Sequence, residues 1–353
     1  MTTASTQEVT ITRPRLPRDL PATTREIRLT ARPVGMPTAD LFHLTSAPIQ
    51  APAEGQILVR NTWMSVDPYM RGRMDDRPSY IPPFQVGSAL EGSALGEVIA
   101  SQSSEIPVGA TVTHLAGWRE HATLDAAQAT VVDPDLAAPH HYLGALGTTG
   151  LTAYAALTEI APVQAGDTVF ISAAAGAVGS IAGQLAKVLG AGRVIGSAGG
   201  PAKTDLLTTA FGFDAAIDYR TGDLVDQLAH AAPHGVDVYL DSVGGDHLRI
   251  AVEAMRHRGR IAMVGAISGY NGGGPGPAPD LYLAATKEVT LRGMLVNSYF
   301  PIFEDYIAKA AAWLADGTLR TRETVYDGLE KAPAAFLGVL SGINSGKMLV
   351  RLG

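Results

Sequence analysis

The chain has 353 residues, 46% hydrophobic and 17% charged, with a formal net charge of −7 and a pI near 5.7. That length supports a large core and two domains, and the acidic balance offers no electrostatic footprint for nucleic acid. The chain has no cysteine, which excludes disulfides, thiolate nucleophiles and Cys-bearing zinc sites together and suits a cytoplasmic protein.

Residues 1–24, rich in Thr, Pro and Arg, read as a flexible N-terminal tail without a secretory signal. From 25 to 140 the signals are short and strand-like, as in Arg25–Thr30, Gly55–Thr62, Ala94–Ser101 and Thr111–Leu115, with Pro- and Gly-containing turns between them. This predicts an all-β module. Over 141–316, strands predicted at 168–172, 193–197, 215–218, 236–240, 260–264 and 289–296 alternate with helices. The helices are predicted at 150–160, 177–189, 202–211, 223–231, 246–257 and 301–316. Such alternation predicts an α/β unit with a doubly wound parallel sheet. Residues 317–353 return to strand signals around a helix at 332–341 and are expected to complete the β-module. Thr168–Ala186 carries no charge and approaches membrane-spanning length. Its β-branched start and the glycines at 176, 179 and 183 favour a buried strand, turn and helix, so no membrane partner is expected.

The sharpest motif follows Thr168–Ser172: Ala174-x-Gly176-x-x-Gly179, opening an apolar helix. Gly176 lets the backbone approach a pyrophosphate, Gly179 lets helix and strand pack closely, and the helix N-terminus supplies N–H groups and a positive dipole end. A small-residue turn without a ligand is the alternative, since Ala174 replaces the first glycine. An NAD site places an acid about 20 positions on. From Ile181 to Lys203 there is none, and the second strand runs into Ala198-Gly199-Gly200-Pro201-Ala202-Lys203. That pattern favours NADPH over NADH, with Lys203 beside the 2′-phosphate, although Lys203 alone could simply decorate a helix surface.

These features sit among longer motifs: Met64-Ser65-Val66-Asp67-Pro68-Tyr69-Met70-Arg71-Gly72-Arg73-Met74, Gly117-Trp118-Arg119-Glu120-His121, Gly150-Leu151-Thr152-Ala153-Tyr154, Ala173 through Gly179, Val264 through Asn271, and Asn344-Ser345-Gly346-Lys347. From Ile27 to Leu352 the chain resembles the zinc-free medium-chain dehydrogenase/reductases. Within them it is most similar to the branch of prostaglandin reductases, leukotriene B4 dehydrogenases and alkenal double-bond reductases. The resemblance implies a GroES-like β-barrel domain joined to a Rossmann domain, with the active site in the cleft between them. It implies NADPH-dependent reduction of the C=C bond of an enone or enal. By position, Gly176, Ala177, Val178, Gly179 and Ser180 would hold the pyrophosphate. Lys203 and Tyr219, helped by Arg220, would hold the 2′-phosphate. Ser242, Val264, Gly265, Ala266, Ile267 and Ser268 would line the cofactor, Met294, Leu295 and Val296 would flank the nicotinamide, and Asn344 would close the site. Tyr270 matches the tyrosine beside the reacting carbonyl, and Tyr69 would also face the cleft.

The chain departs from the family pattern at three places. Ser242 replaces an asparagine, Thr148-Thr149 replaces a Met-Pro pair, and Asn271–Pro279 is unusually rich in glycine, as in a mobile lid. Enone reduction without metal needs a hydrogen-bond donor for the developing enolate, a role that suits Tyr270. Tyr69 or water would protonate the α-carbon. The alternatives are plain: either tyrosine could only pack its ring, and Asp67 with Arg71 could be a structural ion pair. His114, His121 and the His140-His141 pair read as packing or surface histidines rather than metal ligands, so no metal is expected. A quinone-type NADPH oxidoreductase and a non-catalytic NADPH-binding redox sensor are the competing functions. A homodimer through the 289–296 strand is expected by analogy.

Overall fold

The computed structural model describes residues 20–272 and 276–353. Strand β1 (Thr23–Leu29) pairs antiparallel with β2 (Phe42–Pro48). It starts at Thr23, so the end of the predicted tail belongs to a strand. Thr24 is buried there, and its hydroxyl accepts from the His121 amide at 3.0 Å. Most of that tail, residues 1–19, lies outside the described residues.

Next come β3 (Gln56–Ser65), a short helix α1 (Tyr69–Arg73), β4 (Ala94–Ser101), β5 (Thr111–His114), β6 (His121–Asp125) and β7 (Thr130–Val131). Ile57, Leu58 and Val59 are buried in succession, so β3 is covered on both faces. The sequence reading did not anticipate α1. Met70, inside it, is fully buried with Met64, Met74 and Trp118, which fixes the long motif against the core.

The nucleotide layer opens with α2 (Thr148–Ala155), then β8 (Thr168–Ile171), α3 (Ala177–Val188), β9 (Arg193–Ala198), α4 (Pro201–Thr209), β10 (Ala215–Asp218), α5 (Leu224–Ala231) and β11 (Val236–Asp241). It continues through α6 (Gly245–Ala254), β12 (Met255–Met263), α7 (Leu281–Thr286), β13 (Thr290–Gly293) and α8 (Phe303–Ala315). The six strands are parallel in the order β10-β9-β8-β11-β12-β13. The order reverses between β8 and β11, and a crevice opens at their carboxyl ends. The uncharged 168–186 stretch is thus β8, a turn and α3, and no helix among the described residues is long and apolar enough to cross a membrane. Two predicted bounds shift. The helix from 246 stops at Ala254, where β12 begins, and the strand from 289 ends at Gly293, after which the chain coils into a 3-10 turn at Val296–Ile302.

The chain then returns through β14 (Glu323–Asp327), α9 (Ala332–Leu340) and β15 (Lys347–Arg351). β15 lies between β14 and β3, giving the order β14-β15-β3-β4-β5-β7, with β6 also on β3. Phe336 of α9 packs edge-on against Trp118 at 6.1 Å, and Phe42 stacks on Trp118 at 5.9 Å. The architecture is a Rossmann domain plus a GroES-like β-domain.

Candidate active site in the interdomain crevice

The turn after β8 begins with Ala173 at φ 47, a left-handed conformation that costs a non-glycine residue strain. Its carbonyl accepts from the Gly176 amide at 2.9 Å, and the Ala174 amide donates to Ser197 at 2.9 Å. A Cβ on Gly179 would lie 2.6 Å from both the Ala173 oxygen and the Ala174 Cα, so only glycine lets α3 sit this close to its strand. Gly176 caps α3 without a side chain, which leaves the amides of the first turn, Ala177, Val178 and Gly179, facing the crevice mouth. Ser180 is buried behind them.

The loop after β9 brings the predicted phosphate ligands together. A Cβ on Gly199 would fall 2.7 Å from Arg220 Nε and 2.8 Å from the Tyr219 hydroxyl. Lys203 donates from Nζ to the Gly342 carbonyl at 2.8 Å. Burial, then the neighbouring Arg220 charge, lowers its pKa. The nearby acid, Asp218, is engaged by the Gly200 amide at 2.8 Å and the Arg220 amide at 3.0 Å through one oxygen. It braces the loop, and two cations and a phenol stand around a small-residue cradle. That donor set fits a phosphorylated ribose.

Asp241, fully buried at the end of β11, organises the other wall. Its Oδ1 accepts from the Tyr239 hydroxyl at 2.8 Å, the Val243 and Gly244 amides at 2.9 Å, and the Ser172 hydroxyl at 3.1 Å. The Ile267 and Ser268 amides bond back to Ser242 and Val243 at 3.2 and 3.1 Å, which lays Val264–Ser268 along the crevice. The Ser242 hydroxyl is buried without a partner, as expected of a group that awaits a ligand.

Val264, Gly265, Ala266, Tyr270, Met294 and Leu295 line a cavity of about 580 Å³. Val296 follows in the adjoining 3-10 turn. The Tyr270 oxygen accepts from the Ala266 amide at 3.4 Å, which leaves its own O–H free to donate. Tyr69 is half-buried, and burial, then the Asp67 charge, pushes its pKa up. A third tyrosine, Tyr80, was not singled out from the sequence. Its pKa is raised by burial and then by Tyr270, which puts the two phenols within electrostatic reach. Of the glycine-rich segment Asn271–Pro279, residues 273–275 lie outside the described residues, and with them the middle of the expected lid; Gly272 approaches Gly35, where an added Cβ would lie 3.8 Å from the Gly35 Cα.

The Asp67–Arg71 pair does not form. α1 starts at Tyr69, so the partner four residues along belongs to Arg71, which meets Asp75 at 2.7 Å and the Gly35 carbonyl at 2.9 Å. Asp67 instead pairs with Lys347, itself 5% exposed. This part-buried bond joins the long β-domain motif to the returning segment. There the Asn344 amide bonds Gly346 at 2.8 Å, and the Gly346 amide reaches the Ala175 carbonyl at 2.7 Å. Asn344 therefore sits beside the nucleotide turn. Among the histidines, His114 is a satisfied core residue: Nε2 pairs with Asn61 at 2.9 Å and Nδ1 accepts from the Ala116 amide at 3.0 Å. His140 and His141, read from sequence as packing or surface residues, converge with Glu323.

Residues 25–132 match a family described as the N-terminal domain of oxidoreductase, and residues 177–316 one described as zinc-binding dehydrogenase. The chain is 34% identical to an NADPH-dependent curcumin reductase of Escherichia coli over 92% of its own length and 95% of that protein's. It is 38% identical to a 2-alkenal reductase (NADP(+)-dependent) of Nicotiana tabacum over 83% of its own length and 86% of that protein's. The crystal structure of CurA in complex with NADPH from Vibrio vulnificus superposes with a TM-score of 0.89 at 37% identity, covering 93% of this chain and 99% of that one.

Proposed function

The chain belongs to the zinc-free medium-chain dehydrogenase/reductases, and from that premise we propose that it uses NADPH to reduce a C=C bond conjugated to a ketone or aldehyde. It is an NADPH-dependent oxidoreductase. The observation that carries the finer reading is the Tyr270 hydroxyl at the 580 Å³ cavity, accepting from Ala266 N–H with its own proton free. Bound NADPH supplies a hydride to the β-carbon. Tyr270 then donates to the carbonyl oxygen as enolate charge develops, and the backbone bond it accepts strengthens that donation. Tyr69 or water gives the proton to the α-carbon. The amides of Ala177, Val178 and Gly179 bind the pyrophosphate, and Lys203, Tyr219 and Arg220 bind the 2′-phosphate. Ser242, Ile267 and Ser268 line the ribose side, while Met294, Leu295 and Val296 keep water from the nicotinamide wall. Asn344 closes the site beside the turn.

Steady-state NADPH oxidation with a panel of small enones, enals and a quinone tests this. Turnover of enones with a Tyr270→Phe loss of about 10²–10³ in kcat is expected. Quinone turnover alone would select the quinone-type reading, and tight NADPH binding without turnover would select the redox sensor. β13, exposed along its whole length at the sheet edge, supports a homodimer joined strand to strand. Monomeric elution at micromolar concentration would count against it.

A further inference from the structure

Among the described residues the chain passes twice between its six-stranded and seven-stranded sheets, and three metal-ligating side chains meet where it does. The first passage leaves β7 and runs through the turn Pro139–Leu143 into α2. The second leaves α8 and enters β14 at Glu323. His140 and His141 lie on the first passage, and Glu323 lies at the end of the second.

One donor atom from each of His140, His141 and Glu323 lies within 4.8 Å of the others. His141 Nδ1 faces Glu323 Oε1 at 4.0 Å and is buried with no hydrogen-bond partner. The His140 ring lies 4.3 Å from the His141 ring and 5.6 Å from Trp63, so packing holds the two imidazoles side by side. The His141 and Glu323 side chains are 17% and 20% exposed, sheltered but open to solvent from one side. The cation on the neighbouring strand, Lys347, is committed to Asp67.

An unpartnered buried ring nitrogen costs stability unless something satisfies it. The Glu323 carboxylate at 4.0 Å is beyond hydrogen-bond reach, and no bond from the neighbouring imidazole reaches His141 Nδ1. A cation that prefers imidazole and carboxylate would satisfy all three groups at once. Tetrahedral zinc with bonds of about 2.0–2.2 Å needs ligand atoms about 3.4 Å apart, so small side-chain rotations suffice. Two histidines, one carboxylate and a water complete the coordination shell.

We propose that His140, His141 and Glu323 form a binding site for a divalent transition-metal ion of the zinc type, bridging the two interdomain passages. None of the three residues lines the Tyr270 cavity, and the ion takes no part in hydride chemistry. Its occupant ties together the two segments by which the chain passes between the six-stranded and seven-stranded sheets. Exchange of the dinucleotide requires the cleft to open, so an ion here slows that exchange.

The chain stripped with a chelator is titrated with Zn²⁺ by calorimetry and with Co²⁺ by visible absorption. We expect one ion per chain in this site, weakened about tenfold or more by His140→Ala, His141→Ala or Glu323→Gln. NADPH fluorescence titration of each variant reports that it is folded. Failure to bind Zn²⁺ at millimolar concentration overturns the proposal. So does binding of unchanged affinity in all three variants, which assigns the ion to other histidines such as His230 and His234. Stopped-flow NADPH dissociation tests the bridge: Zn²⁺ should slow it severalfold in the parent and leave the variants unaffected. An equal rate with and without Zn²⁺ in the parent overturns the coupling to opening.

Discussion

Replacing Lys203 with alanine isolates the charge at the ribose end of the site. A hydrogen bond from an ammonium to a phosphate contributes about 1.5–3 kcal/mol, against about 0.5–1.5 kcal/mol for an ordinary intramolecular one. Without ligand, Lys203 already donates to the Gly342 carbonyl at 2.8 Å, and binding exchanges that partner for the phosphate. The net gain is therefore about 1–2 kcal/mol, a factor of roughly 5–30. Lys203→Ala should raise the NADPH Kd by that factor and leave the NADH Kd within twofold, because NADH has no 2′-phosphate. Quenching of intrinsic fluorescence by each cofactor measures both constants. Equal weakening of NADPH and NADH would refute the assignment and make Lys203 a brace for the Gly342 turn.

Lys347→Met leaves the part-exposed Asp67, which keeps its bond from the Ser65 hydroxyl, without its cation and should cost about 1–3 kcal/mol, seen as a lower urea midpoint. The double variant Asp67→Asn/Lys347→Met should recover part of that loss; a single-variant loss under about 1 kcal/mol would show the pair to be unimportant. His114 has a folded pKa of about 4 against 6.5 in the unfolded chain, through burial and then Arg119. The stability it contributes is whole above the unfolded value and is lost as pH falls through the window between the two, by about 3 kcal/mol at pH 4. Burial lowers His121, His141 and His247 in the same direction, so the comparison is the acid slope of the parent against that of His114→Gln, which should be shallower. A Cβ on Gly183 would lie 2.0 Å from the Phe213 ring, so Gly183→Ala should destabilise by about 1–3 kcal/mol while Gly183→Ala/Phe213→Leu recovers much of it in thermal melts.

Local chemistry made the nucleotide layer readable. β8 and α3 announce themselves by period and composition, and the glycine at 179 answers a contact with the preceding turn that any strand–turn–helix of this kind must solve. Lys203 was legible from the acid-free loop after β9, whereas Tyr219 and Arg220, just past β10, were expected beside it only from the family resemblance. The Asp67–Lys347 bond was not legible, since 280 positions separate the partners and nothing local to either names the other. The Asp67–Arg71 reading failed on helix phase: an i,i+4 pair needs both residues on one helix, and α1 begins two residues after Asp67. His140 and His141 looked isolated for the same long-range reason, because Glu323 reaches them only through the return of the chain. α7 and α1 are too short for a period to show.

The position of β15 has a consequence for how the protein is made. It is inserted between β14 and β3, so the Trp63–Ser65 end of β3 has no neighbour on that side until residues 347–351 have left the ribosome. By then the nucleotide layer, whose strands are contiguous in the chain, can already be folded. The β-domain begins synthesis first and finishes folding second, and it carries an open, apolar strand end through most of translation. A chaperone that shields exposed strand edges would find its substrate in this nascent chain, and a stop codon shortly before 347 would leave that edge permanently open.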